Sequence, residues 1–211
     1  LPMIKLPGKM ELTLLSPHHD ALKKLKNTWK KEITKITSAQ SIEARWDAEK
    51  RYIAKNGVLG STPPHPDVSV ANMSSIAFIA THDKKSCLFA GDTMTNELLK
   101  SIEPLCAKHG VEQLTVDAWK LAHHGSQKST MKGIIDKVSA THILISTNGA
   151  RYKHPDKACI TSLLKANGKG LKLHFNYLSQ QNKYWSGSAP AKKFGYTANF
   201  AKSKFGIKVE L

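Results

Sequence analysis

Short apolar clusters, separated by charged or Gly- and Pro-rich stretches, set the rhythm of this chain. Alternation over Glu11-Leu-Thr-Leu-Leu15 predicts a strand, and Ser16-Pro17 ends it. Leu22, Leu25, Trp29, Ile33 and Ile36 then recur at helical spacing with lysines opposite. That predicts an amphipathic helix packed on a core, with Asp20 placed to cap its start. From 37 to 66 the pattern weakens. Ile42, Trp46 and Tyr52 suit a second short helix, and Gly57, Gly60, Pro63, Pro64 and Pro66 suit a loop, so the stretch reads as an insertion. Beyond it, residues 74–81 and 86–90 read as strands around the polar turn His82-Asp83-Lys84-Lys85, a hairpin. Elements then alternate: helix 96–108, strand 114–122, helix 129–138, strand 142–146, helix 156–166 and strand 171–177. The tail 180–204, rich in Lys, Gly, Ser and aromatics, reads as loops before a last strand at 206–211.

That order predicts an α/β sandwich built around a sheet. With 211 residues, 40% of them hydrophobic, residues 1–211 read as one domain with a sizeable core. No apolar run approaches the roughly 18 to 20 residues that span a bilayer, so no membrane partner is expected. Residues 1–9 lack the residue order of a secretory leader and the chain opens without methionine, which predicts a processed or trimmed product. Cys87, Cys106 and Cys159 are odd in number and widely spaced, matching neither a disulfide framework nor a zinc ribbon. A reducing, cytoplasmic setting follows, with Cys87 a small buried hydrophobe.

Charge changes the picture most. Thirty-two Lys and Arg against 16 Asp and Glu leave a net charge of +16, which favours a polyanionic partner, nucleic acid first. Arginine occurs only at Arg45, Arg51 and Arg151, so the surface suits attraction to a phosphate backbone rather than bidentate reading of bases. Lysines that only keep a protein soluble would give the same count.

Candidate chemistry gathers at strand ends, where open α/β architectures place ligand groups. Asp92 closes Cys87-Leu-Phe-Ala-Gly. His123-His124-Gly125-Ser126 closes Trp119-Lys-Leu-Ala. Asn148-Gly149 closes the strand from His142, with His154-Pro155 beyond it. A carboxylate and one or two imidazoles on one rim suit Zn²⁺ or Mn²⁺, but are too few for a two-metal site. Each motif also has a plain reading as turn chemistry, Gly91-Asp92 above all. His18-His19-Asp20 reads as a helix start.

In order, these motifs resemble the C-terminal half of the metallo-β-lactamase fold, an αββα sandwich, as it occurs in ComEC-like hydrolases. The matching segments are Leu14-Leu-Ser-Pro17, a strand over Asn72-Met-Ser-Ser-Ile-Ala-Phe78, Leu88-Phe-Ala-Gly-Asp92, Trp119-Lys-Leu-Ala-His-His-Gly-Ser126, and Ile145-Ser-Thr-Asn-Gly149 with His154-Pro155. They span residues 11 to 166, interrupted by a helical insertion near 20–60. The resemblance implies that Asp92 bridges two divalent ions, Zn or Mn, and that His123 or His124 supplies a late ligand. It also implies that Asn148, His154 and Ser126 lie on the substrate side. The family's His-x-His-x-Asp-His signature does not occur in this chain, and Ser16 stands where relatives often carry His. The remaining ligands would therefore come from an N-terminal half or a partner chain. Three functions follow as expectations: a metal-dependent nuclease or phosphodiesterase, a non-catalytic lysine-rich module holding nucleic acid or a partner, and a hydrolase of a small ester or cyclic nucleotide. An isolated half of such a sandwich should expose an apolar sheet face.

Overall fold

A computed structural model describes residues 1–38, 70–150, 152–202 and 206–211. Their strands form one eight-stranded sheet in sequence order: β1 (Met3–Lys5), β2 (Glu11–Ser16), β3 (Ala77–His82), β4 (Lys85–Phe89), β5 (Leu114–Lys120), β6 (Val138–Ile145), β7 (Lys172–Phe175) and β8 (Thr197–Phe200). β1 to β4 pair antiparallel and β4 to β8 parallel. Connection length explains the switch. β3 and β4 are joined by Asp83 and Lys84, both at positive φ, a tight turn whose twist suits a hairpin. Beyond β4 each crossover carries a helix that returns the chain to the starting end of the next strand. These are α3 (Thr95–His109), α4 (Lys132–Lys137), α5 (Lys157–Asn167) and α6 (Ser188–Phe194), while α1 (His19–Ser38) and α2 (Val70–Met73) fall between β2 and β3. The fold is α/β.

The core lies between one sheet face and the crossover helices. Ile79, Leu88, Trp119, Ile143 and Leu173 sit in register across five strands, each at most 8% exposed. They form one cluster with Leu98 and Ile102 of α3, Ile134 of α4 and Ile160 and Leu163 of α5. Burying such a side chain is worth about 1.5 to 3 kcal/mol, so this layer fixes which face each strand presents. The neighbouring register row, Phe78, Phe89, Lys120, Leu144 and His174, points the other way. There Phe78 and Phe89 stack at 5.1 Å and Phe89 remains 36% exposed. The sheet is thus packed on one side and half open on the other.

Several expectations need correction. Residues 70–73 form α2 rather than leading into a strand, because Ser74 Oγ turns back to donate to the Val70 carbonyl at 2.7 Å and also contacts Ala21 O. α4 covers only Lys132–Lys137, and β6 begins at Val138 rather than 142, since Val138 already pairs with Leu114. The tail holds α6 and β8 instead of loops. α6 ends at Gly195, φ 70, and the Tyr196 hydroxyl donates to the carbonyl of buried Trp185 at 2.9 Å. Residues 206–211 make a single bridge at Gly206 and no strand. Asp20 lies inside the first turn of α1, where a carboxylate favours the helix dipole without capping it. Over residues 19–29 only Ala21 is buried; Leu22 is 46% and Trp29 61% exposed. Leu22 and Trp29 of the α1 stripe therefore stand open, while Leu25 is half-buried. Beyond Ser38, the insertion read at 37–66 lies outside the described residues.

All three cysteines are free and buried. Burial pushes the Cys87 thiol up to about 11 and the Cys159 thiol to about 12, so both stay protonated and act as apolar filler. No helix among the described residues is long and apolar enough to cross a membrane.

Candidate metal centre at the strand ends

The rim is built from the C-terminal ends of β4, β5 and β6. After β4 the chain turns at Gly91, φ 55, where a Cβ would lie 2.5 Å from the Ile76 carbonyl oxygen and 2.6 Å from Ser75 Oγ. Only glycine fits. Ser75 Oγ then accepts the Asp92 N–H at 2.9 Å, and Thr93 Oγ1 donates to Ser75 O at 3.0 Å. These bonds hold the backbone while the Asp92 carboxylate stays 43% exposed.

The turn after β5 carries three successive residues at positive φ: His123 at 45, His124 at 60 and Gly125 at 86. Two non-glycine residues in that region cost about 1 to 2 kcal/mol each, a strain the surroundings must hold in place. The His123 N–H donates to Gly91 O at 2.9 Å and ties this turn to the Asp92 turn. Gly125 packs against Pro155, where an added Cβ would come within 2.9 Å of the proline Cβ, and the Asp156 N–H donates to Gly125 O at 3.0 Å. Three motifs distant in sequence are stapled together by backbone.

Within this frame the two histidines differ. His124 Nδ1 donates to the Ser146 carbonyl at 2.6 Å, which places its lone pair on Nε2. That Nε2 lies 4.0 Å from Asp92 Oδ1, with the imidazole 41% exposed. A cation bound at about 2.0 to 2.2 Å from each atom would require the two atoms to close to roughly 3.4 Å, and a carbonyl behind the far nitrogen is the usual support of a metal-bound imidazole. His123 Nδ1 instead lies 3.4 Å from the Asn72 amide nitrogen and 3.5 Å from Ser129 Oγ, so its acceptor position faces inward. His124 is the one whose outward nitrogen faces Asp92. Among the described residues no group of three or more His, Cys, Asp or Glu is placed to hold an ion; Asp92 and His124 form a pair.

Next to His123, the His154 ring lies at 5.5 Å and that of Tyr152 at 6.3 Å. His154 Nδ1 donates to Asp156 at 2.9 Å, leaving Nε2 as an acceptor, and Asp156 also accepts the Gln127 N–H at 2.8 Å. Burial pushes the Asp156 carboxyl up, but the hydrogen bonds from His154 and Gln127 and the two nearby imidazoles outweigh it and hold it below the ordinary value.

Asn148 and Ser126 spend their polar groups locally, and the Ser126 N–H donates to His123 O at 3.1 Å. Asn148 is exposed and its Oδ1 accepts the Ala150 N–H at 2.9 Å, a local turn, while Ser126 is 4% exposed and its carbonyl takes the Thr130 N–H. Asp156, Asn72, Tyr152 and Lys120 complete the surroundings and escaped the sequence reading. Asp156 was signalled by its place two residues after His154. Burial lowers the Lys120 pKa, against the opposing charge of Asp92, and its ammonium donates to Leu121 O at 3.0 Å. No protein-family model and no curated protein matches the chain.

Proposed function

We propose that this chain is the C-terminal half of an αββα metallo-β-lactamase sandwich and acts as a metal-dependent hydrolase of phosphodiesters in nucleic acid. An N-terminal half or a partner chain would supply the remaining ligands for two divalent ions, Zn²⁺ or Mn²⁺. The observation that carries this reading is Asp92 facing the free Nε2 of His124 across 4.0 Å, with the other imidazole nitrogen fixed on Ser146 O. The half-open sheet face on the β3–β4 side, where Phe78 and Phe89 stack and Phe89 stays exposed, supports it as the place where a second layer packs. The unpaired buried thiols support a reducing, cytoplasmic setting.

Bound ions would lower the pKa of a coordinated water enough to give hydroxide near neutral pH. The residues of the chain orient and hold. Asp92 and His124 would provide ligands, His154 is held by Asp156 next to His123, and the lysine excess draws in the phosphate backbone.

Divalent-ion titration and a DNA cleavage assay in Mn²⁺ test this. Asp92→Ala and His124→Ala should each weaken ion binding by more than about tenfold and abolish cleavage, while His123→Ala retains the ion. Undiminished cleavage by Asp92→Ala would overturn the metal role. Nucleic-acid affinity should fall steeply with salt, with a slope of about −0.9 per neutralised phosphate. A steep slope without cleavage in any divalent ion would select the non-catalytic binding module instead.

A further inference from the structure

Away from the strand-end rim, β6, β7 and β8 frame a second concavity. His142, Lys172 and Thr197 stand side by side in register, as do His174 and Asn199 one step on, and the tail around Lys208 lines one side of an open pocket of about 870 Å³. Ligand pockets run from about 300 to 1,000 Å³, so this one would admit a nucleotide. Lys172 and Thr197 open their strands and Phe200 and Ala201 follow at the far end of β8, so the pocket runs the length of that strand.

Two histidines determine its chemistry. His142 Nδ1 and His174 Nε2 lie 3.1 Å apart with ring planes 3° from parallel, so one proton is shared between them. His174 is 6% exposed, and its Nδ1 has no partner among the described residues. A buried N–H without an acceptor is the rarer fault, compared with an unused lone pair. The proton therefore resides on His174 Nε2 and is donated to His142 Nδ1. His142 is left with an Nε2–H that meets no acceptor among the described residues.

Next to it, Lys172 makes no ion pair among the described residues, whereas Lys208 already holds Glu210 at 2.9 Å. Thr197 and Asn199 add a hydroxyl and an amide. An imidazole N–H and an unpaired ammonium around one space call for an anion with several acceptor oxygens. A metal ion suits it poorly, because the facing nitrogens already satisfy each other.

We propose that this pocket binds the phosphate group of a nucleotide through His142 and Lys172, with His174 as the residue that positions His142. Free phosphate, a nucleoside monophosphate and a nucleic-acid strand all present this group, and the proposal stands independently of hydrolysis at Asp92 and His124.

The test uses the full chain in EDTA, titrated with inorganic phosphate, with AMP and with a short oligothymidylate, followed by calorimetry and by ¹⁵N signals of the histidine rings. Binding should move the His142 Nε2 signal. Lys172→Ala should weaken AMP by about tenfold or more, while Lys165→Ala on α5 leaves it unchanged. His174→Asn, checked for folding by circular dichroism, should shift His142 toward a mixture of tautomers and weaken binding. The tightest of the three probes identifies the source of the phosphate. An unmoved His142 signal, or equal losses in Lys172→Ala and Lys165→Ala, would overturn the proposal, the latter by showing attraction to surface charge alone.

Discussion

At the scale of single residues, the rim depends on positions where the backbone has no freedom. Gly91 is the clearest. An alanine there would hold φ 55 and drive its Cβ within 2.6 Å of both Ile76 O and Ser75 Oγ. Ser75 Oγ is also the acceptor for the Asp92 N–H, so the same clash would displace the carboxylate. Gly110, which ends α3 at φ 65, offers a control, since nothing lies within 4 Å of its added Cβ. Gly110→Ala should cost only the backbone strain, about 1 kcal/mol, whereas Gly91→Ala adds overpacking of about 1 to 3 kcal/mol. Thermal melts should therefore separate the two variants by about 5 °C at this chain length. Equal melting temperatures would mean that the Gly91 turn can relax, and the fixed placement of Asp92 would lose its basis.

Between residues and the whole lie the elements, and there sequence pattern and packing part company on one helix. α1 and α3 carry apolar positions at the same spacing, yet Leu98 and Ile102 of α3 are fully buried while Leu22 and Trp29 of α1 stand open. Periodicity marks a face and leaves its partner unnamed. Leu98→Ala should cost about 2 to 5 kcal/mol by leaving a cavity; Trp29→Ser should stay within about 0.5 kcal/mol. Urea unfolding of both variants decides it, and a loss of several kcal/mol in Trp29→Ser would show that the stripe is covered. The hairpin and the crossovers were legible because alternation and helical spacing are local. The start of β6 and the strand β8 were not, because their pairing with β5 and β7 is set by the ladder rather than by their own residues. The site divides in the same way. The strand-end placement of Asp92, His124 and His154 could be read from motif order, but the Ser146 carbonyl that fixes the His124 ring is revealed by no spacing.

For the whole molecule, the titrating groups that the fold has shifted agree on the direction in which acid acts. Burial, reinforced by the charge of Lys172, lowers the pKa of His142, and burial beside His142 takes His174 from 6.5 down to about 4. A histidine held neutral in the folded state binds its proton more readily once unfolded, so its contribution to stability is present above about 6.5 and is lost as pH falls toward 4. Asp117, held low first by the Ser86 N–H and then by Lys85, and Asp156 extend the loss further into acid, because carboxylates with depressed values favour folding only while ionised. On the alkaline side Cys87 and Cys159 prefer the protonated thiol, and their contribution declines only above the ordinary value of 9.0. Stability should therefore fall as pH drops below about 6.5, and above about 9 the loss from the thiols is opposed by Lys120, whose lowered pKa favours folding as pH rises. Denaturant unfolding from pH 4 to 10 measures the profile, and ring NMR of His174 assigns the acid limb. A His174 that titrates near 6.5 in the folded protein would remove the histidine pair as its cause.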